Sequence, residues 1–369
     1  MKKLATMVNS MPPLRVVICW AGFSGYLAAC WRALAQLDGV SLQVVTYCGK
    51  STSNAPFDPS VLDGVPHHLL KSETAQDAEE VAITVAKMKP DIVVIPGWMR
   101  PAYSRLVWNP QLQSAKFAMG LDTPWRGDWR QQLACLKLRR FVGRMDAVFV
   151  ASERSWQYAR HLGVPEAKIH RGVYGVDYAV LRTACDQRLA LEGGWPKRFL
   201  FAGRYVDVKG IDVLLDSYKR YRSMVSNPWP LTCCGSGPWA ERIAQAEGVR
   251  DLGFVQPEDL VAVFAKHGVF VLASHYEPWG VVIAEASAAG LPVICTESCG
   301  ASIDLVRTLY NGITVGTGDV HEMVRAMKWM HENHARLPEM GLRSQQRVSA
   351  YSAESWAERW AYVFRDLCP

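Results

Sequence analysis

Two glutamates frame the stretch HYEPWGVVIAEASAAGLPV, which runs from His275 to Val293: Glu277 and Glu285 stand eight positions apart. Pro278 and Gly280 break the chain between them, so the spacing predicts a helix that begins at about Val281. The first backbone N–H groups of that helix, on Val281 and Val282, have no intrahelical acceptor. With the helix dipole behind them they suit an anion. Carboxylates are poor phosphate ligands but good acceptors for hydroxyls. Glu285, just over one turn into the helix, suits a ribose diol, and Glu277, ahead of the helix, suits hydroxyls on the far side of the anion. Hydroxyl, phosphate, hydroxyl is the order of groups in a nucleotide sugar. The competing reading is a surface loop acid and an ordinary helix acid. Burying a glutamate among Val, Ile and Ala without a partner would be costly, which weighs against it.

A second set of groups suits the same ligand. In FLFAGRYVDVKGIDVLL a buried strand ends at Ala202, Gly203 turns the chain, and Arg204 and Lys209 follow in the loop. A guanidinium fork and an ammonium at a strand's carboxyl end fit an oxygen-rich anion such as a diphosphate. Alternatively they pair with Asp207 or Asp212 in a solvated loop. In PLTCCGSGPWAERI a strand runs into Gly235-Ser236-Gly237, a turn that allows close backbone approach to phosphate or ribose. Such a turn is also a common tight connection.

The elements that must hold these groups follow from the apolar pattern. RVVICW, LQVVTYC, DIVVIPG, AVFVAS, RFLFAG, PLTCCG, GVFVLAS and LPVICT read as buried strands, each followed by a helical segment, among them one from about Ala75 to Lys87. Continuous apolar strands alternating with helices mean an α/β fold with parallel sheets covered on both faces. The strands fall into two sets, separated by a polar, glycine-bearing stretch at 179–197. Two doubly wound domains facing each other enclose a cleft, and ligands sit at the carboxyl ends of such strands. The last segment, ESWAERWAYVFRDL, reads as an amphipathic helix.

Bulk properties agree and exclude some classes. The chain has 369 residues, enough for two domains, with 49% hydrophobic and 21% charged residues. Its net charge of +6 is too mild to argue for nucleic acid. Ten cysteines without a CxxC pair read as small core hydrophobes of a reducing cytoplasm. Neither a signal peptide nor a run of roughly 18 apolar residues suggests export or a membrane span. The expected location is cytoplasmic, with peripheral contact to the membrane face left open.

FAGRYVDVKGIDVLL, CCGSGPWAERI, DLGFVQPEDLVAVFAKHGVFVLAS, EPWGVVIAEASAAGLPVICT and CGASIDLVRTLYNGITV together resemble the donor domain of retaining GT-B glycosyltransferases, specifically glycosyltransferase family 4. The resemblance implies two Rossmann-like domains across a cleft: an acceptor-side domain at 1–178, a linker at 179–197, a nucleotide-sugar donor-binding domain at 198–348, and a final helix at 349–369 that crosses back. It implies that Arg204 and Lys209 hold the donor diphosphate. Glu277 lies near the transferred sugar, Glu285 on the ribose, Gly280, Val281 and Val282 at sugar or phosphate, Gly235 in the turn beside the donor, and Phe254 at the base. Gly22, in WAGFSGY, is expected to face the diphosphate from the first domain. The implied activity is transfer of the sugar to a hydroxyl of a glycan or lipid-linked acceptor with retained configuration, by front-face attack. No cofactor and no metal are expected. The sequence holds no Asp-x-Asp pair, and the leaving group's charge falls to Arg204, Lys209 and a helix N-terminus.

One departure is specific. Many members carry a His at the end of a first-domain strand near the sugar's primary hydroxyl. Here KFAMGLDTPWRGDW has Leu121 at that place, followed by Asp122. Either the donor is a deoxy sugar or pentose, or Asp122 does the work. An inverting transferase would use Asp122 as its base, and a pseudoenzyme would bind the nucleotide sugar without transferring it.

Other patterns carry less. YCGKSTS lacks the first glycine of a P-loop, GFSG is one residue short of a GxSxG elbow, and WAGFSG lacks the GxGxxG spacing. The HENH run at His331–His334 lacks HExxH spacing and reads as solvated helix. The run WRGDWRQQLACLKLRRFVGR reads as a helix with one packed apolar face and solvated arginines opposite, with contact to anionic lipid as the competing reading. Trp98, Trp125 and Trp129 read as core or rim packing.

Overall fold

The computed structural model of the chain describes residues 12–47, 56–71 and 77–369. Two parallel sheets organise it. The first contains β1 (Leu14–Cys19), β2 (Val40–Tyr47), β3 (His67–Leu70), β4 (Ile92–Ile95), β5 (Lys116–Leu121), β6 (Ala147–Val150) and β7 (Ile169–Arg171), in the order β3-β2-β1-β4-β5-β6-β7. The second contains β8 (Phe199–Ala202), β9 (Leu231–Cys234), β10 (Val249–Asp251), β11 (Val269–Leu272), β12 (Val293–Thr296) and β13 (Gly312–Val315), in the order β10-β9-β8-β11-β12-β13.

The apolar runs predict this burial because both faces of each sheet are covered. In β1, Val16 and Ile18 join one core while Val17 and Cys19 join another, and β4 divides Ile92 and Val94 from Val93 and Ile95 in the same way. A strand covered on both faces has no position left for a polar side chain. The edge strands β3, β7, β10 and β13 were not read from the sequence. They are three or four residues long, and β3 exposes His67, His68 and Leu69.

Three helices matter most for the site. Helix α1 (Gly25–Ala35) follows β1, α2 (Val281–Ala288) follows β11, and α3 (Ala353–Leu367) ends the chain. α3 leaves the second domain and packs on the first against α1. The indoles of Trp356 and Trp360 donate to the carbonyls of Val173 and Gly172 at 3.0 and 2.8 Å, and Trp360 stacks on Phe149 with ring centroids 3.9 Å apart.

The polar stretch at 179–197 is not a solvated tether. It contains a short helix, Thr183–Leu189, whose Arg188 is buried and donates to the carbonyls of Phe264, His267, Ala289 and Gly290 at 2.6–3.1 Å. Burial lowers this guanidinium's pKa to about 10, and the four carbonyls keep it satisfied. No described helix is long and apolar enough to cross a membrane.

In each sheet the chain reverses direction of travel beside its first strand. β1 pairs with β2 on one side and β4 on the other, and β8 pairs with β9 and β11. These are the topological switch points at which ligands enter open α/β sheets.

Candidate functional site

A cleft of about 430 Å³ lies between the domains. The first domain lines it with Gly25 and Tyr26 at the start of α1, Phe57, Asp122 just past β5, and Tyr174 past β7. The second domain lines it from the loops after β8, β9, β10 and β11. Of the residues singled out from the sequence, Asp122, Arg204, Lys209, Gly235, Phe254, Glu277, Gly280, Val281, Val282 and Glu285 all line this cleft. Gly22 does not. The loop after β1 reaches the cleft three residues later, at Gly25, because that is where α1 begins and abuts the second domain. A Cβ on Gly25 would lie 2.7 Å from the Pro257 Cβ.

Lys209 and Glu277 are 68 residues apart in sequence but come from the loops after neighbouring strands, β8 and β11. The amides of His275 and Tyr276 donate to the Val208 carbonyl at 2.9 and 3.2 Å and tie the two loops together. The Lys209 ammonium is thereby ion-paired with the Glu277 carboxylate, and both side chains are largely buried. The alternative partners are engaged elsewhere. Asp207 accepts from the Trp239 indole at 2.6 Å and Asp212 from His275 at 3.0 Å. Arg204 is exposed at the cleft wall, with no acidic partner among the described residues. One cation is thus held in place by an acid and one is free to move onto a ligand.

Two glycines allow the backbones of this wall to pack closely. A Cβ on Gly235 would lie 1.9 Å from the Gly203 carbonyl oxygen, and one on Gly210 would lie 2.0 Å from that of Ala273. Neither position tolerates a side chain without moving the loops.

Helix α2 begins at Val281, as the Pro278–Gly280 break predicts, with Gly280 in the left-handed region at φ 92°. It has no side-chain cap. Among the described residues the Val281 and Val282 N–H groups find no acceptor, while Ile283 N–H already bonds the Gly280 carbonyl at 2.9 Å. Two free donors at a helix N-terminus on a cleft wall form an anion site. Glu285 follows within the same helix. Its carboxyl receives no hydrogen bond from any described residue, and burial pushes its pKa up to about 7. A carboxyl in that state gains from a polyol that donates to it.

The opposite wall is aromatic and acidic. Tyr174 Oη donates to Asp122 Oδ2 at 2.9 Å, and its ring meets Tyr26 edge to face at 5.7 Å. Burial raises the Asp122 pKa. The Tyr174 hydrogen bond opposes that rise, and the Glu277 charge adds to it. Leu121 itself is buried in the sheet core, so Asp122 is the group this strand end presents to the cleft. Phe254 meets Phe57 of the first domain edge to face at 5.3 Å, and Gln256 Nε2 donates to the Pro56 carbonyl at 3.1 Å. The wall around Phe254 is therefore shared between domains. Tyr26, Tyr174 and Phe57 went unread in the sequence. Each is a single aromatic in a loop or at a helix start, and only pairing across the cleft distinguishes it.

Other readings are settled by contacts. Trp98 and Trp125 pack around Tyr158, with ring centroids 6.0 and 5.6 Å away. His331 bonds Tyr221 Oη at 2.7 Å and stacks on Trp229, a structural role. Trp129 is 69% exposed, so the packing expected for it is absent. The nine described cysteines are free. Residues 48–53 of the P-loop-like run, Cys48 among them, and the first eleven residues lie outside the described residues.

Residues 196–333 match the family of glycosyl transferases group 1. The match falls on the second domain. Over 258 residues, 64% of its length, the chain is 28% identical to a D-rhamnosyltransferase, WbpZ, of Pseudomonas aeruginosa. It is 32% identical over 110 residues, 28% of this chain, to the O-antigen chain mannosyltransferase B of Escherichia coli. The matched stretches span 66% and 29% of those proteins, so the chain aligns with less than two thirds of the length of either relative. Among solved structures it resembles Anabaena HepE in complex with UDP, with a TM-score of 0.74 over 96% of this chain and 100% of that one at 16% identity. Sucrose-phosphate synthase of Thermosynechococcus elongatus gives 0.74 over 96% and 99% at 18% identity. The architecture is the GT-B fold, with two Rossmann-like domains of seven and six strands.

Proposed function

We propose that this chain is a glycosyltransferase that moves a sugar from a nucleotide diphosphate-sugar to a hydroxyl of a glycan or lipid-linked acceptor, with retained configuration and without a metal. The observation that carries the reading is the α2 N-terminus. Two unpaired N–H groups, a lysine and an unpaired arginine line the same cleft, with the carboxylates of Glu277 and Glu285 beside them. The diphosphate lies against those amides and cations. Glu285 accepts from the ribose diol, Phe254 and Phe57 border the base, and Glu277 faces the transferred sugar. As the glycosidic bond breaks, negative charge grows on the leaving phosphate where the cations and amides already point. The departing phosphate takes the acceptor's proton on the face it leaves, so no side-chain nucleophile is required.

Asp122 orients the sugar from the first domain in this reading, held by Tyr174. A second reading is favoured by the similarity to a D-rhamnosyltransferase, since rhamnose lacks the 6-hydroxyl: the donor is a 6-deoxyhexose. Turnover with donor pairs that differ only in that hydroxyl separates the two.

The test is a thermal-shift screen against nucleoside diphosphates and their sugars, followed by the anomeric configuration of the product. A ligand at about a hundred times its Kd should stabilise the native state by about 2.7 kcal/mol. Failure of every nucleotide to raise the melting temperature would sink the proposal. Inverted product would transfer the role of base to Asp122, and binding without transfer or hydrolysis would leave a nucleotide-sugar-binding pseudoenzyme.

A further inference from the structure

The helix Trp129–Lys137 inverts the pattern of an ordinary surface helix. It buries only Gln131, while Trp129, Leu133 and Leu136 are 69%, 40% and 75% exposed. With 3.6 residues per turn, these three fall in one stripe about 60° wide, on the side away from Gln131. The sequence predicts a packed apolar face with arginines in solvent, yet here the apolar face itself is in solvent. The placement is built in. Asp128 caps the helix by accepting from the Gln131 N–H at 2.9 Å. The Gln131 side chain accepts from the amides of Arg126 and Gly127 at 2.7 and 3.2 Å and donates to the Pro124 carbonyl at 2.8 Å. This amide pins the polar side of the helix to the domain and leaves the apolar stripe outward.

Charge identifies what covers it. Residues 97–144 contain nine basic and two acidic residues, a net +7, against +6 for the entire chain. Both acids are engaged, Asp122 by Tyr174 and Asp128 by Arg126 and the helix cap. Arg130, Lys137, Arg139 and Arg140 are exposed and have no acidic partner among the described residues. A second copy docked through a two-fold axis would set this patch against itself. An apolar stripe edged by unpaired cations matches the interface of an anionic bilayer.

We propose that this face docks on an anionic lipid surface, with Trp129, Leu133 and Leu136 entering the headgroup boundary and Arg130, Lys137, Arg139 and Arg140 meeting lipid phosphates. The segment leading into this helix reaches the second domain beside the cleft. Arg126, just before the helix, stands over the Tyr276 ring at 5.2 Å, next to Glu277. Docking therefore brings the cleft mouth to the membrane surface. The inference does not depend on the transferase reading.

Co-sedimentation of the full chain with vesicles tests it. At ~0.1 M salt the protein should pellet with phosphatidylcholine vesicles containing about one third phosphatidylglycerol and stay in solution with phosphatidylcholine alone, and binding should fall about tenfold at ~0.5 M salt. The pair Leu133→Ser and Leu136→Ser should weaken binding about tenfold through the apolar contribution. Arg139→Gln with Arg140→Gln should do so through charge, and as an exposed pair it should keep the parent's melting temperature. Equal binding to neutral and anionic vesicles, no binding to either, or parent-like binding by both double variants overturns the proposal. So does a parent that is dimeric by light scattering and becomes monomeric on the leucine changes with vesicle binding unaltered, which assigns the stripe to self-association.

Discussion

Arg204 and Glu285 carry the sharpest consequences at the scale of single residues. Arg204 is exposed and unpaired, so Arg204→Ala removes nothing the fold relies on. It should cut turnover by roughly 3 kcal/mol of barrier, about a hundredfold, by analogy with the loss of an oxyanion donor, while the melting temperature stays unchanged. Parent-like turnover in that variant would remove Arg204 from the leaving-group site. Glu285, with its pKa raised to about 7, makes ligand binding proton-linked. Burial favours the protonated acid, whereas a diol that donates to the carboxyl favours the anion. Nucleotide binding near pH 6.5 should therefore release a proton and tighten as pH rises to about 7, then level off. Calorimetry in two buffers of different ionisation enthalpy checks this, and Glu285→Gln should abolish the difference. Stability runs the other way. The protonated form favours the fold below the unfolded carboxyl pKa, and that contribution is lost as pH rises through 7. Both glutamates and both cations were legible in the sequence, because charged residues at the ends of apolar runs stand out. The Lys209–Glu277 pairing was not, since it depends on β8 and β11 lying side by side.

Helix α2 concentrates the argument at the scale of elements. Gly280 holds φ 92°, and a Cβ there would lie 3.0 Å from the Glu277 Cγ. Gly280→Ala should cost about 1–2 kcal/mol of stability and, by tilting the Val281 and Val282 amides, raise the KM for donor about tenfold, roughly 1.4 kcal/mol. Steady-state kinetics beside a denaturation curve checks both, and an unchanged KM would separate the amides from donor binding. The start of this helix followed from Pro278 and Gly280 alone. The loop after β1 lines the cleft at Gly25, three residues past the Gly22 read from the sequence, because WAGFSGY contains two glycines and the docking of α1 against Pro257 brings the second of them to the cleft.

The last helix sets the relation between domains at the scale of the whole molecule. Trp360 stacks on Phe149 and bonds the Gly172 carbonyl, so one indole ties the end of the chain to the first domain. Trp360→Ala should cost about 3–5 kcal/mol and loosen the first domain more than the second. Hydrogen exchange resolved by segment checks it, and uniform loss of protection across both domains would contradict it.

The sequence by itself determined the class of fold, because strands buried on both faces must be apolar throughout and no other architecture demands such runs. It also marked out the residues of the second domain's wall, since glycines, cations and acids stand out at the ends of apolar runs. Tertiary structure alone decided which first-domain groups face that wall. Tyr26, Tyr174 and Phe57 come from separate segments with no shared motif, and packing across the cleft, beside the Asp122 already singled out in the sequence, is the only relation among them. It also decided that Trp129, Leu133 and Leu136 face outward. A helical period reveals a stripe but not its direction, which here is set by the buried hydrogen bonds of Gln131.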